Sequence, residues 1–242
     1  MASPRSEPAT PARLLEAAAE LFAARGYERT TIRDIALRAG ANVAAGHYHF
    51  GSKQDLYLEV ARAQFGEVSA RLAARGSAPT DAELARASRA ELERMLAVRI
   101  ETMLEFLLGP PPSPHGAIMQ REMCDPTGAL PLIVRDFVLP QKEATARIVA
   151  RLAPHLSVRE VDRCVFSIVG QIFFQRQMLP ILPQLVGMAA LPRGFLQEAA
   201  AHVARFSLAG IAGLESAARR RARSRRSRPT HSGVGARRPV GR

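Results

Sequence analysis

Tryptophan is absent from the 242 residues, and the chain holds only three tyrosines, ten phenylalanines and two cysteines. With so few rings, a core has to be filled by alanine and leucine, both strong helix formers. Cys124 and Cys164 lie forty residues apart with no C-x-x-C and no neighbouring histidine pair, so neither a disulfide framework nor a zinc site is indicated. Alternating β-branched runs are missing, and no stretch reads as a strand. No apolar run approaches the ~20 residues that cross a bilayer, and the opening M-A-S-P-R-S-E-P-A-T-P lacks the apolar core of a secretion signal. Nor does any Ser/His/Asp, Cys/His or paired-carboxylate spacing suggest catalysis. The expectation is a soluble, cytoplasmic, all-α protein that is not an enzyme, carries no cofactor or metal and makes no use of a membrane.

What is present begins with charge. The chain carries a net +12, but the segment 217–242 alone holds ten arginines and no acid, leaving +2 for residues 1–216. The high isoelectric point therefore belongs to the tail. A block of like charge rich in Ser, Pro and Gly buries no apolar surface, and disorder is expected there.

Apolar residues fill the next level of organisation. Residues 1–9 read as a flexible arm, and Thr10-Pro11 opens a helix with Leu14, Leu15, Ala18, Leu21 and Phe22 on one stripe, stopped by Gly26. Thr31 caps a second helix through Ile32, Ile35, Ala36 and Ala39, which Gly40 closes. Asn42 caps a third, Val43 to about Tyr48. Two short helices at this spacing make a helix-turn-helix, whose second helix is presented to the DNA major groove. A fourth helix starts at Ser52, a fifth at Thr80-Asp81 and runs on through Leu107, and G-P-P-P-S-P-H-G at 109–116 ends it. A helix from Leu130 is bent or restarted at Pro140. Ser157 caps a helix to Met178 that is apolar on two faces and so expected to be sandwiched. After a Pro-rich connection, 179–194, the last helix runs from Phe195 to about Ala218.

L-F-A-A-R-G-Y at 21–27, T-T-I-R-D-I-A at 30–36 and F-G-S-K-Q-D-L at 50–56 resemble the DNA-binding domain of TetR/AcrR-type repressors. R-E-M-C-D-P-T at 121–127, followed by V-L-P at 138–140, is similar to the C-terminal domain of the CecR-like branch. The expected division is 10–56 for DNA binding and 57–216 for effector binding and dimerisation, flanked by the arm and the tail. Base reading falls to few groups, because Ala44, Ala45 and Gly46 offer no hydrogen-bonding side chain. Ala44 and Ala45 can meet thymine methyls, Asn42 and His47 are polar readers, and Arg33 is the strongest bidentate donor to a guanine. The resemblance assigns phosphate contacts to Thr31, Tyr48, His49 and Lys53, with packing as the lesser alternative for Tyr48. A lysine at a helix N-terminus opposes the helix dipole unless an anion sits there, which favours a phosphate at Lys53.

The resemblance further implies a homodimer through the last two long helices and a pocket for an unknown small-molecule effector. Met103, Phe106, Met119, Glu122, Phe137, Phe166 and Phe173 are its candidate lining. The function implied is a repressor of a near-palindromic double-stranded DNA operator, released by its effector and controlling a transport or efflux operon. The rival is a sequence-tolerant architectural nucleic-acid binder driven by the arginine tail.

Overall fold

The computed structural model describes residues 10–108, 117–185, 187, 192 and 194–226; the expected arm, the proline-rich 109–116 and the last sixteen residues of the tail lie outside them. The described residues are helical, with no strand. Three helices, α1 (Thr10–Arg25), α2 (Ile32–Arg38) and α3 (Val43–Phe50), form a head from which α4 (Lys53–Ala74) leads into a larger body. Capping fixes these starts. Thr31 and Ser52 each form a reciprocal box with the carboxylate three residues on, Asp34 and Asp55, and Asn42 accepts from the Ala44 N–H.

The body holds α5 (Asp81–Arg86), α6 (Arg89–Leu108), α7 (Ala117–Cys124), α8 (Leu130–Ile133), α9 (Leu139–Leu152), α10 (Val158–Met178), α11 (Leu182–Leu185) and α12 (Phe195–Arg226). The single helix expected from Asp81 is in fact two. Ala87 is extended, and Ser88 starts α6 afresh by exchanging hydrogen bonds with Glu91. Before Pro140 the helix widens into a π turn, Val134–Val138, where the Leu139 N–H reaches back five residues to Val134. Proline lacks the N–H that would continue the regular ladder, so the bend expected there takes this form. α11, within the Pro-rich connection, was not anticipated.

The last helix overruns its expected end by eight residues and continues to Arg226. Its extension A-A-R-R-R-A-R-S-R-R contains no Gly or Pro, so nothing in it stops a helix already nucleated by packing. Ala218 is buried, and Arg221 donates to Glu160 at 2.7 Å beside the start of α10. The first ten residues assigned to a disordered tail are therefore helical.

Two apolar clusters result. One gathers Leu14, Phe22 and Ile35 around Leu56–Phe65 of α4 and takes in Ile118, Ala129 and Ile133. The other is built on α6, α9, α10 and α12, with Val68 and Leu72 at the far end of α4. The sandwiching expected for α10 holds in part: Val161, Val165, Ile168 and Ile172 are buried and, of the second face, Val169 and Phe173 are half-buried against the same core while Phe166 is 62% exposed. At its C-terminal end Arg176 donates to the Gln120 side chain of α7 at 3.0 Å. No described helix is long and apolar enough to cross a membrane.

Candidate nucleic-acid interface and cavity

On the outer face of the head, α2 and α3 expose a continuous set of side chains. Arg33, Asn42, Ala44, His47, Tyr48 and His49 are all exposed. Tyr48 is 84% exposed, which removes the packing alternative for it. Ala45 leans on the head core instead of facing outward with Ala44. Gly46 is buried against α2: a Cβ there would lie 2.9 Å from Ile32 Cγ2, so the absent side chain lets α3 approach α2 closely. His47 Nδ1 lies 3.0 Å from the Gly51 carbonyl, a contact that requires Nδ1 to carry the proton. In the neutral ring Nε2 is then an acceptor, and in the charged ring a donor.

Two of the expected phosphate contacts are differently placed. The Thr31 hydroxyl donates to Asp34 at 2.6 Å and accepts from the Asp34 N–H at 3.1 Å, so its proton is committed within the helix start. These bonds hold the exposed Asp34 carboxyl below its ordinary range. Lys53 turns inward, donating from Nζ to the Tyr27 carbonyl at 2.9 Å and lying 4.1 Å from the centre of the Tyr27 ring. In this arrangement the carbonyl and ring hold the charge that would otherwise oppose the helix dipole unaided. Two of its three N–H donors remain.

A second feature lies in the body. α6, α7, α9 and α10 border a partly open cavity of about 420 Å³ with an almost wholly apolar wall. Of the expected lining, Met103, Met119, Phe166 and Phe173 border it. Phe106 and Phe137 instead stand behind Phe65, itself a wall residue, with ring centres 6.1 and 5.1 Å from it. Glu122 points away into the head. The sequence reading missed Met123, Arg99, Gln141, Lys142 and Thr145. Arg99 carried a signal, since it sits three residues after Leu96 and four before Met103, on an otherwise apolar stripe.

Between cavity and head stands α7. Met119 and Met123 face the cavity, Ile118 is in the head cluster, and Arg121 donates to the Ala23 and Ala24 carbonyls at the end of α1, at 3.0 and 2.8 Å. Gly26 follows with φ +81°, a backbone conformation that favours glycine, and a Cβ on it would crowd the Arg121 guanidinium at 3.2 Å. Glu122 is fully buried; its Oε1 accepts from the Tyr57 hydroxyl at 2.8 Å and from the Thr127 hydroxyl at 2.7 Å, and its Oε2 from the Thr127 N–H at 2.9 Å. Burial, and then the Glu122 carboxyl, push the Tyr57 phenol far above its usual value. Among the described residues no group of His, Cys, Asp and Glu could hold a metal ion.

The family model described as bacterial regulatory proteins, tetR family, matches residues 14–60, and that of the HTH-type transcriptional dual regulator CecR, C-terminal domain, matches 92–211. Over 139 residues the chain is 31% identical to the HTH-type transcriptional dual regulator CecR of Shigella flexneri, covering 57% of this chain and 61% of that protein. Over 49 residues it is 47% identical to the HTH-type transcriptional repressor KstR2 of Mycobacterium tuberculosis, covering 20% of this chain and 24% of that one. The chain thus spans less than two thirds of these relatives. A transcriptional regulator from Saccharomonospora viridis in complex with choline superposes with a TM-score of 0.54 at 21% identity, over 81% of this chain and 94% of that one, a likeness of fold alone.

Proposed function

We propose that this chain, which belongs to the TetR family of bacterial regulatory proteins and carries a CecR-type C-terminal domain, is a homodimeric repressor released from its operator by a small molecule in the body cavity. Its matched relatives are transcriptional regulators, not enzymes. The observation that carries the reading is α7. One short helix presents Met119 and Met123 to the cavity and, within two residues of them, grips the head through Ile118, Arg121 and Glu122. A ligand that displaces the methionines displaces the grip on α1 and α4, and with it the angle of α3. Packed helices shift between discrete arrangements rather than deforming smoothly, so a small push suffices.

The exposed rings of Phe166, Phe174 and Phe206, with Leu214, form an apolar surface on α10 and α12 that supports dimerisation. A two-fold dimer reads a near-palindrome. Arg33 and His47 are proposed to read bases, Ala44 to meet a thymine methyl, and Tyr48, His49 and Lys53 to hold phosphates. A transport or efflux operon is the proposed target.

The test is anisotropy of full-length protein on selected and random duplexes across a salt series, with sedimentation. The expected result is a dimer that prefers its operator by roughly 10³-fold or more. Arg33→Ala relaxes preference at one position by about 1–3 kcal/mol, and Lys53→Ala weakens all duplexes and lowers the salt slope by about one. A monomer that binds operator specifically, or a dimer without sequence preference, overturns the reading; the second result favours the architectural one.

A further inference from the structure

The cavity wall is polar at one end only. There Arg99, 5% exposed, donates from Nε to Thr145 Oγ1 at 3.0 Å, from Nη2 to the Gln141 carbonyl and side-chain oxygens at 3.1 and 2.7 Å, and from Nη1 to the Ser77 carbonyl at 2.8 Å. All four acceptors are neutral. Lys142, beside them in the wall, pairs with Asp162 at 2.5 Å. Among the described residues no Asp or Glu lines the cavity, and its other residues are apolar apart from Gln141 and Thr145.

Neutral acceptors satisfy the geometry of a guanidinium without cancelling its charge. A buried charge lacking a counter-ion is costly, and the cost is recovered when an opposite charge joins it in a dry site. Burial, and to a lesser extent the charge of Arg147, lower the Arg99 pKa to about 10, so the group is still cationic at neutral pH. One cation without a counter-ion at one end, and methionine and phenylalanine elsewhere, define the complement of the site.

Resting on the effector-binding reading above, we infer that the effector is an anionic amphipath, an apolar body with one carboxylate placed against Arg99. The apolar part lies along Met103, Met119 and Phe173, and its length decides how far Met119 moves.

The probes are decanoate, decanol and decyltrimethylammonium, which share a chain and differ in head charge, titrated calorimetrically into the full-length protein without DNA at neutral pH. Decanoate is expected to bind at least about tenfold more tightly than decanol, a difference of about 1.4 kcal/mol, and the cation least of the three. Arg99→Gln abolishes that preference. Because Arg99 also holds the Ser77 carbonyl, its variant can fail to fold, so the charge series on the unaltered protein is decisive by itself. Equal binding of decanoate and decanol, tighter binding of the cation, or no binding by any of the three overturns the inference. Preferred decanoate binding that leaves operator affinity unchanged upholds the ligand class and overturns the release mechanism instead.

Discussion

The two apolar cores of this protein are closed in different ways. The body core draws on residues 68–211, from the far end of α4 onward, and takes no side chain from α1, α2 or α3 among the described residues. The head core cannot be closed by residues 10–56: it needs the next turns of α4, Tyr57 to Phe65, and three side chains from far along the chain, Ile118, Ala129 and Ile133. A unit short of its own core depends for its shape on the domain that completes it. Under the proposed function, that dependence is what makes it controllable.

The severest way to break the comparison is to remove the borrowed part. A fragment of residues 1–56 is expected to be largely unfolded by far-ultraviolet circular dichroism, because it lacks most of the α4 wall and all of α7; a cooperative melt like that of the full chain would show that the head is self-sufficient. Next come single cavities. Phe22→Ala in the head and Leu96→Ala in the body, both fully buried, are each expected to cost about 2–5 kcal/mol in denaturant unfolding. Because α4 belongs to both cores, each variant should still unfold in one transition; two separated transitions would mean that the cores are independent.

A gentler variant sharpens the comparison at the seam. Tyr57→Phe keeps the ring against Phe22 and Tyr27 but removes the hydroxyl that Glu122 accepts. Stability should fall by about 1–2 kcal/mol, since Thr127 still serves the carboxyl. The larger change is in regulation: ligand binding in calorimetry stays while its effect on operator affinity shrinks. Full retention of that effect would remove the seam from the mechanism.

The smallest expected effect concerns pH. Hydrogen bonds from Thr31, Thr80, Ser88 and Ser157 lower the carboxyl pKa values of Asp34, Glu83, Glu91 and Glu160 at four helix starts. A folded-state pKa below the unfolded one adds stability that is fully present above the unfolded carboxylate range and is lost as pH falls through the lowered values. The melting temperature should therefore drop on the acid side of about pH 4. Ser157→Ala should make that drop shallower while lowering the plateau slightly; an unchanged acid limb would show that Glu160 contributes nothing to it.

Local rules made the head legible. Thr31, Asn42, Ser52, Thr80 and Ser157 stand where their side chains cap helices, because capping is decided within four residues. The same rule would have found Ser88-Glu91, which a long apolar stripe concealed. Side-chain direction was another matter. Lys53 finds its partner 26 residues away at Tyr27, and Arg99 finds Gln141 and Thr145 more than forty residues on, so neither environment is written near the residue. Gly46 reads in sequence as a weak point in the reading helix and proves to be where α3 meets Ile32. The cavity was legible as four apolar residues, and its charged end was not, because polarity inside a wall arises only when helices meet.

The length of α12 has a consequence for how far the arginine tail can reach. Arg221 is fastened to Glu160 at the first turn of α10, whereas the helix held against α7 and the head is the other end of α10, at Arg176. Twenty-one residues of α helix separate these ends, roughly 30 Å at 1.5 Å per residue. Arg219, Arg220, Arg221 and Arg223 of α12 therefore sit at the pole opposite the reading helices, far from the duplex those helices would face. Those charges therefore add little to the salt dependence of binding at that duplex.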